Sequence, residues 1–325
     1  MKKIISNMAV LLLLTFSFSL SRIFAQTAYI PNTGDSNVTV INIATNKVTA
    51  TIAVGNNPIG VSASLDGKKV YIANWGDSTV SVINTATNTV SATIVLGTKP
   101  FSLSVSPDGS KVYISNQGED IVSVISSATN TVTATIKFSS APEGISVSPD
   151  GSKVYVANWG DSTSTVSVIN TATNTISAKI AVGINPVGVS VSPDGKKAYV
   201  TNWGDTTGTV SVINTATNTV LATITVGFEP SGVSVSPDGG KVYVANFNEN
   251  TVSVINTATN TISATITVGG MPEGLSVSPD GSKVYVANDG DNSISVINTA
   301  TNTVSATIEV GNAPYSFGNF ISTHK

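Results

Sequence analysis

The sequence predicts an all-β fold, a seven-bladed β-propeller, on three observations. One pattern recurs seven times, marked by Tyr29, Tyr71, Tyr113, Tyr155, Tyr199, Tyr243 and Tyr285 at steps of 42, 42, 42, 44, 44 and 42 residues. Every copy holds four short runs rich in β-branched residues, punctuated by Gly, Pro or Asn. No run is long enough for a helix. Four short antiparallel strands every 42 residues is the arithmetic of a propeller blade.

Residues 1–25 stand apart from the repeats. Lys2 and Lys3 precede an apolar run from Met8 to Leu20, and small Ala25 closes the segment. A basic head, a short apolar core and a small-residue exit read as a secretory signal peptide, too short for a membrane span of about 20 residues. The expected mature chain is 26–325, one propeller domain that is secreted, periplasmic or held at the cell surface.

The copy from Gly60 to Leu96 shows each strand in turn: Val61 to Ser64, Val70 to Asn74, Val80 to Asn84 and Val90 to Leu96. The Ser-Pro-Asp-Gly tetrad, as at Ser106 to Gly109, suits a tight type I turn, because Pro presets φ at its second position. "VSVS" alternates large apolar residues with small ones rather than with charges. A sheet with one wet face would carry long polar side chains there. Blades are covered on both faces by their neighbours, and the inner strands meet where space tapers.

The phase of the repeat predicts how the ring closes. The first copy starts at its Tyr strand, and the chain ends with Ala313-Pro314-Tyr315-Ser316-Phe317, the approach to a first strand. One composite blade therefore takes three strands from Thr27 to Val54 and its innermost strand from Tyr315 to Ile321. Asn319 stands where other copies have Val.

Tyr199-Val200-Thr201-Asn202 reads "YVTN", and "VSVINTATNTVLATITVG" follows its loop. This resembles the YVTN β-propeller repeat family, met in archaeal surface-layer proteins and many bacterial exported proteins, and the resemblance covers all seven copies. It implies the propeller fold and says little about activity, since one fold hosts many functions. Related propellers include lactonase-like enzymes, a haem d1 domain and quinoprotein dehydrogenase subunits. Haem or copper ligation in such relatives uses residues such as His, and the one His here is His324 in the tail.

Composition excludes several chemistries. The chain has no Cys, which removes thiol nucleophiles, thiolate metal sites and covalent haem. Loss of Lys2, Lys3 and Arg22 with the signal leaves 13 basic against 19 acidic residues, a charge of −6. That balance argues against nucleic acid. A single closed ring is expected to be a monomer.

The copies differ on one face only. "SPDG" and "TATNT" repeat almost unchanged between strands one and two and strands three and four. The other face varies, and both two-residue insertions fall there, which in repeat proteins marks a binding side. It collects Asp35, Asp77, Glu119, Asp120, Glu143, Asp161, Asp205, Glu229, Glu249, Glu273, Asp289 and Asp291, with Lys99 as the one obvious cation. The monotonous face is expected to pair its turn aspartates with Lys68, Lys69, Lys111, Lys153, Lys196, Lys197, Lys241 and Lys283.

Candidate ligand-binding residues are therefore Trp75, Asp77, Trp159, Asp161, Trp203, Asp205, Phe247 and Glu249. The tryptophans either shield the blade tops or offer flat stacking surfaces to sugars. Convergent carboxylates and Asn carbonyls are a possible seat for Ca²⁺, a hard ion that prefers oxygen; no other cofactor is expected. Asn32, Asn74, Asn116, Asn158, Asn202, Asn246 and Asn288 end each second strand. They either bond their own loop backbone in Asx turns or line the channel mouth. No catalytic acid or base stands out among copies so alike. The leading expectation is a non-catalytic binding or surface-scaffold module that engages an extracellular protein or glycan. A metal-dependent lactonase-like enzyme and a carbohydrate binder using the Trp loops are the alternatives.

Overall fold

The computed structural model describes residues 26–160, 164–204 and 207–323. Seven four-stranded antiparallel sheets stand around an axis. In one blade the strands run Pro58–Ala63, Lys69–Asn74, Thr79–Asn84 and Thr89–Val95, inside to outside. Tyr71 pairs with Ser62 on one side and Val82 on the other.

Burial explains the alternation. The second and third strands are buried at consecutive residues, because neighbouring blades cover both of their faces. Tyr71, Val80 and Val82 pack against Leu103, Val112 and Ile114 of the next blade, so the core lies between blades rather than within them. All seven repeat tyrosines are fully buried. The fourth strand buries one residue well, Ile94, and is otherwise open. A register shift at Val82/Ile83, repeated in the other blades, bends this free edge, and such bends discourage edge-to-edge pairing.

The composite blade forms with a shorter closing strand than expected. Ile321–Thr323 pairs with Gln26–Ala28 and completes the sheet. Residues from Pro314 to Phe320 lie outside that ladder. The Tyr315 carbonyl accepts from Gly274 N at 3.0 Å in the preceding blade, and Phe317 and Asn319 accept from Val61 N and Ala63 N in the following one, each at 3.0 Å. Two backbone bonds tie this stretch to its own blade: Tyr29 N donates to Phe320 O, and Tyr315 N donates to Pro31 O. Pro314 still faces Asn32, as Pro58 faces Asn74. The ladder register places Ile321 where Ala63 stands in the next blade, so Tyr315 and Ser316 are two extra residues that the shorter strand absorbs.

Two of the eight lysines of the monotonous face, Lys68 and Lys196, pair with turn aspartates as expected, and the other six do not. Lys69, Lys111, Lys153, Lys197, Lys241 and Lys283 each donate to a backbone carbonyl of the neighbouring blade at 2.7–3.2 Å. The two ion pairs among the described residues, Lys68–Asp66 and Lys196–Asp194, are exposed and contribute about 0–1 kcal/mol. The turn aspartates bond locally instead. Asp108 accepts from Ser106 Oγ at 2.6 Å and from Ser110 N and Oγ, which holds its carboxyl down at about 2. No helix among the described residues is long and apolar enough to cross a membrane. The segment read as a signal peptide, 1–25, and His324 lie outside the described residues.

Candidate functional site

The asparagine ring serves neither expected purpose. All seven side chains are buried, and none lines the mouth. Asn74 Nδ2 donates to Thr79 Oγ1 and Ser81 Oγ on the third strand, each at 2.9 Å, rather than to its own loop. Asn32, Asn116, Asn158, Asn202, Asn246 and Asn288 likewise reach third-strand hydroxyls. In five of them, Asn32, Asn74, Asn202, Asn246 and Asn288, the amide lies against a glycine of the loop between strand four and the next blade, as Asn74 does against Gly55, where any side chain would collide. These residues hold strands two and three to that loop. They are structural.

Much of the acidic rim is also tied up in loop structure. Asp77 accepts from Asn56 N and Nδ2, both at 2.7 Å, and Asp35 makes the same pair with Asn312 at 2.8 Å. Asp291 accepts from Gly270 N, and Glu229 from Asn248 Nδ2. Each bond joins the varying loop of a blade to the loop by which the chain enters that same blade. Glu249 is exposed, and Asp161 and Asp205 lie outside the described residues. Among the described residues no three acidic or His side chains gather as a metal site.

The tryptophans, by contrast, come together. Trp159, Trp203 and Phe247, from three successive blades, form an arc with centroid separations of 6.3 and 5.3 Å. Each is half-buried. Trp75 stands apart from the arc; its Nε1 donates to Gln117 Oε1 at 3.2 Å, and Lys99 Nζ lies 4.9 Å from its ring centroid. All three tryptophans pack on a second apolar cluster of Ile59, Phe101, Val187 and Phe317.

That cluster marks the axis. Ile59, Phe101, Glu143, Val187, Ser231, Glu273 and Phe317 occupy equivalent places, one before a ring of Gly60, Ser102, Gly144, Gly188, Gly232, Gly274 and Gly318. At the small-residue ring the innermost strands nearly touch. A Cβ on Gly144 would meet Val187 O at 2.2 Å, and one on Gly232 would meet Glu273 O at 2.4 Å. The free space remaining there is about 30 Å³, room for one or two waters. The axis is therefore nearly filled at this level, and the residues one step above it, themselves buried, close around its mouth.

Two carboxyls sit in this mouth, both counted above among the residues of the acidic face. Glu143 is 7% and Glu273 4% exposed. Gln117 Nε2 donates to Glu143 Oε1 at 2.6 Å, and Ser231 Oγ donates to Glu273 Oε2 at 2.5 Å. Burial outweighs these bonds and pushes each carboxyl up to about 8. For Glu273 the nearby charges of Asp289 and Glu143 add to the rise, while the Tyr315 phenol donates to it and opposes it. Burial also raises Asp289. Both glutamates are thus mainly neutral at pH 7. These two carboxyls therefore differ from the exposed acids of the other copies. The missed signal was variation in one slot, immediately after the inner-strand proline, where Glu alternates with Ile, Phe, Val and Ser.

Four clefts of about 260–410 Å³ lie on the opposite, monotonous face, each between the turns of adjacent blades. They are larger than the space at the axis. Their walls repeat the same Ser, Pro, Asp, Lys and Tyr, and the Lys is already bonded across the blade junction. Size alone does not make them the site.

Fold and site together define a seven-bladed propeller with a nearly filled axis, an aromatic mouth and acidic loops around it. The model of the YNCE-like β-propeller family matches residues 62–162, and this match and the seven-blade ring both fit a YVTN-type propeller repeat. Hydrazine synthase from Kuenenia stuttgartiensis is 22% identical, with a TM-score of 0.74 over 80% of this chain and 88% of that one. A functionally unknown protein from Desulfotomaculum acetoxidans is 17% identical, with a TM-score of 0.78 over 92% and 98%. A Bacteroides fragilis protein proposed to be a 6-phosphogluconolactonase is 19% identical, with a TM-score of 0.76 over 93% and 98%. At these identities the likeness is one of fold. No curated protein matches the chain in sequence.

Proposed function

We propose that the chain is an exported binding or surface-scaffold module that engages an extracellular protein or glycan through its variable face. The arc of Trp159, Trp203 and Phe247 carries this reading. Three half-buried aromatic rings from successive blades present edges and faces to solvent, where apolar area is gained on binding and flat rings suit sugars or aromatic side chains. The leader-like segment 1–25 supports export, and the uniform opposite face offers nothing that one partner would single out.

The test is tryptophan emission of the mature chain against a glycan panel, run beside capture from the native cell surface. W159A/W203A serves as the control for both. A ligand or partner that is retained by the wild type and lost by the double variant is expected. Equal behaviour of the two proteins would remove the reading.

A metal-dependent lactonase-type enzyme is the second reading. What favours it is the pair of carboxyls raised to about 8 in the mouth, since an acid held neutral near pH 7 is equipped to donate a proton. Hydrolysis of a lactone panel by the wild type, with and without divalent metal, and its loss in E143Q or E273Q would support this reading. Inactivity on every lactone counts against it.

A further inference from the structure

We propose that the axial mouth binds a primary ammonium group on an aliphatic chain, seated between Glu143 and Glu273 and walled by the surrounding aromatic rings. The inference rests on the variable face being the binding face, and it names the chemistry that this face would recognise.

The first observation is an imbalance of charge. Glu143 and Glu273 are more than nine-tenths buried, yet among the described residues no ion pair reaches either of them; the two ion pairs lie in turns of the other face. Glu143 accepts from a neutral amide and Glu273 from neutral hydroxyls. A carboxylate accepts about four hydrogen bonds, so capacity remains at both. Buried acids without a counter-charge are costly unless they stay neutral or meet a cation.

The second observation is an unused donor–acceptor beside them. Ser316, one of the two extra residues in the closing segment, is fully buried, and its hydroxyl has no hydrogen-bond partner. Its neighbour Tyr315 donates to Glu273. The inserted pair thus brings a phenol and a free hydroxyl to the one blade junction that already holds Glu273.

The third is in the walls. Phe101, Tyr315 and Phe317 have mutual centroid distances of 5.3–6.2 Å. The chain itself displays the affinity of such a ring for an alkylammonium: Lys99 places its Nζ over Trp75. An ammonium has three donors to match two carboxyls and a hydroxyl, and its aliphatic stem suits the apolar wall. A calcium ion would need six to eight oxygens, which a wall made mainly of carbon does not supply. The acidic rim would steer cations toward the mouth.

Seating the ammonium stabilises the ionised carboxylates, so a proton leaves for solvent as the ligand arrives. The groups facing the pair, Asp289 and Tyr315, carry no positive charge that would prevent this.

The test is calorimetry of the mature chain with pentylammonium and with 1-pentanol, its uncharged analogue, in two buffers of different ionisation enthalpy. The expected result is binding of pentylammonium at least about tenfold tighter than pentanol, with net proton release near neutral pH. E143Q and E273Q, which mimic the neutral acids and should still melt cooperatively, are each expected to weaken it by about tenfold or more and to reduce the proton release, which E143Q/E273Q should abolish. Silence with pentylammonium, equal binding of pentanol, unchanged binding by both variants, or uptake of Ca²⁺ with no amine bound would each overturn the proposal. If the amine is silent while the wild type still captures a partner that W159A/W203A loses, the ammonium site falls and the binding-module reading stands.

Discussion

Glu143 and Glu273 should make this protein less stable as pH rises from 5 to 7, the reverse of the usual rise in that range. In the folded chain both carboxyls are raised to about 8, so they hold their protons across this window. In the unfolded chain a Glu ionises near 4.3, so it has lost its proton. The native state then binds one more proton per carboxyl than the unfolded state. Stability therefore falls by about 1.4 kcal/mol per pH unit for each group. It is fully present below about pH 4.3 and lost as pH climbs through the folded value. Over two units the pair would cost about 5 kcal/mol if independent, and somewhat less because each ionisation hinders the other. At roughly 2 °C per kcal/mol for a domain of this size, Tm should be about 5–10 °C higher at pH 5 than at pH 7. The turn aspartates do not obscure this window. Asp108 and Asp150 are lowered to about 2 by local hydrogen bonds, so their contribution is present above the unfolded value and is lost only as pH falls below about 4. The assay is calorimetric melting at both pH values for the wild type and for E143Q/E273Q. A wild-type Tm that is flat or rises from pH 5 to pH 7, or a double variant that keeps the wild-type slope, would refute the reasoning.

Other outcomes follow from the same geometry. Deleting 315–325 removes buried Phe317, Phe320 and Ile321, worth about 5–9 kcal/mol, comparable with a whole domain's net stability of about 5–15 kcal/mol; the truncated chain should not melt cooperatively near the wild-type Tm. Gly144→Ala would drive a Cβ into the Val187 carbonyl, a backbone atom that cannot swing away, and chemical denaturation should register a loss of about 1–3 kcal/mol. Asn74→Leu strips the half-buried Thr79 and buried Ser81 hydroxyls of their common donor and should cost about 1–3 kcal/mol by the same measurement. Lys99→Met withdraws the ammonium from Trp75, one of three tryptophans, so the emission maximum should move while Tm stays within about 1 °C, as for most surface substitutions.

The ring itself was legible in the residues. The tyrosine spacing, the four β-branched runs and the split of the first blade between the two ends led to seven blades and a composite closure. Which loops share a face also followed, because antiparallel strands alternate their ends. The site was legible only in part. Trp159, Trp203 and Phe247 were singled out, and they do meet. Asp35 and Asp77 looked like free rim charges, but both carboxylates are bonded to the neighbouring loop. The asparagines looked like loop caps or a channel lining, and they point at third-strand hydroxyls instead. Lys153 and its counterparts looked like partners for aspartate and reach carbonyls across the blade junction.

By itself the sequence determined the repeat unit, its number and its order, because strand propensity, turn chemistry and period are local and recur unchanged in every copy. Only the tertiary structure decided that the slot after the inner-strand proline lies on the axis. There residues about 42 positions apart become neighbours, and two glutamates share one poorly solvated mouth. A repeat aligns equivalent positions without telling which of them face inward, and a pKa depends on that direction. The raised carboxyls are a property of the closed ring rather than of any single copy.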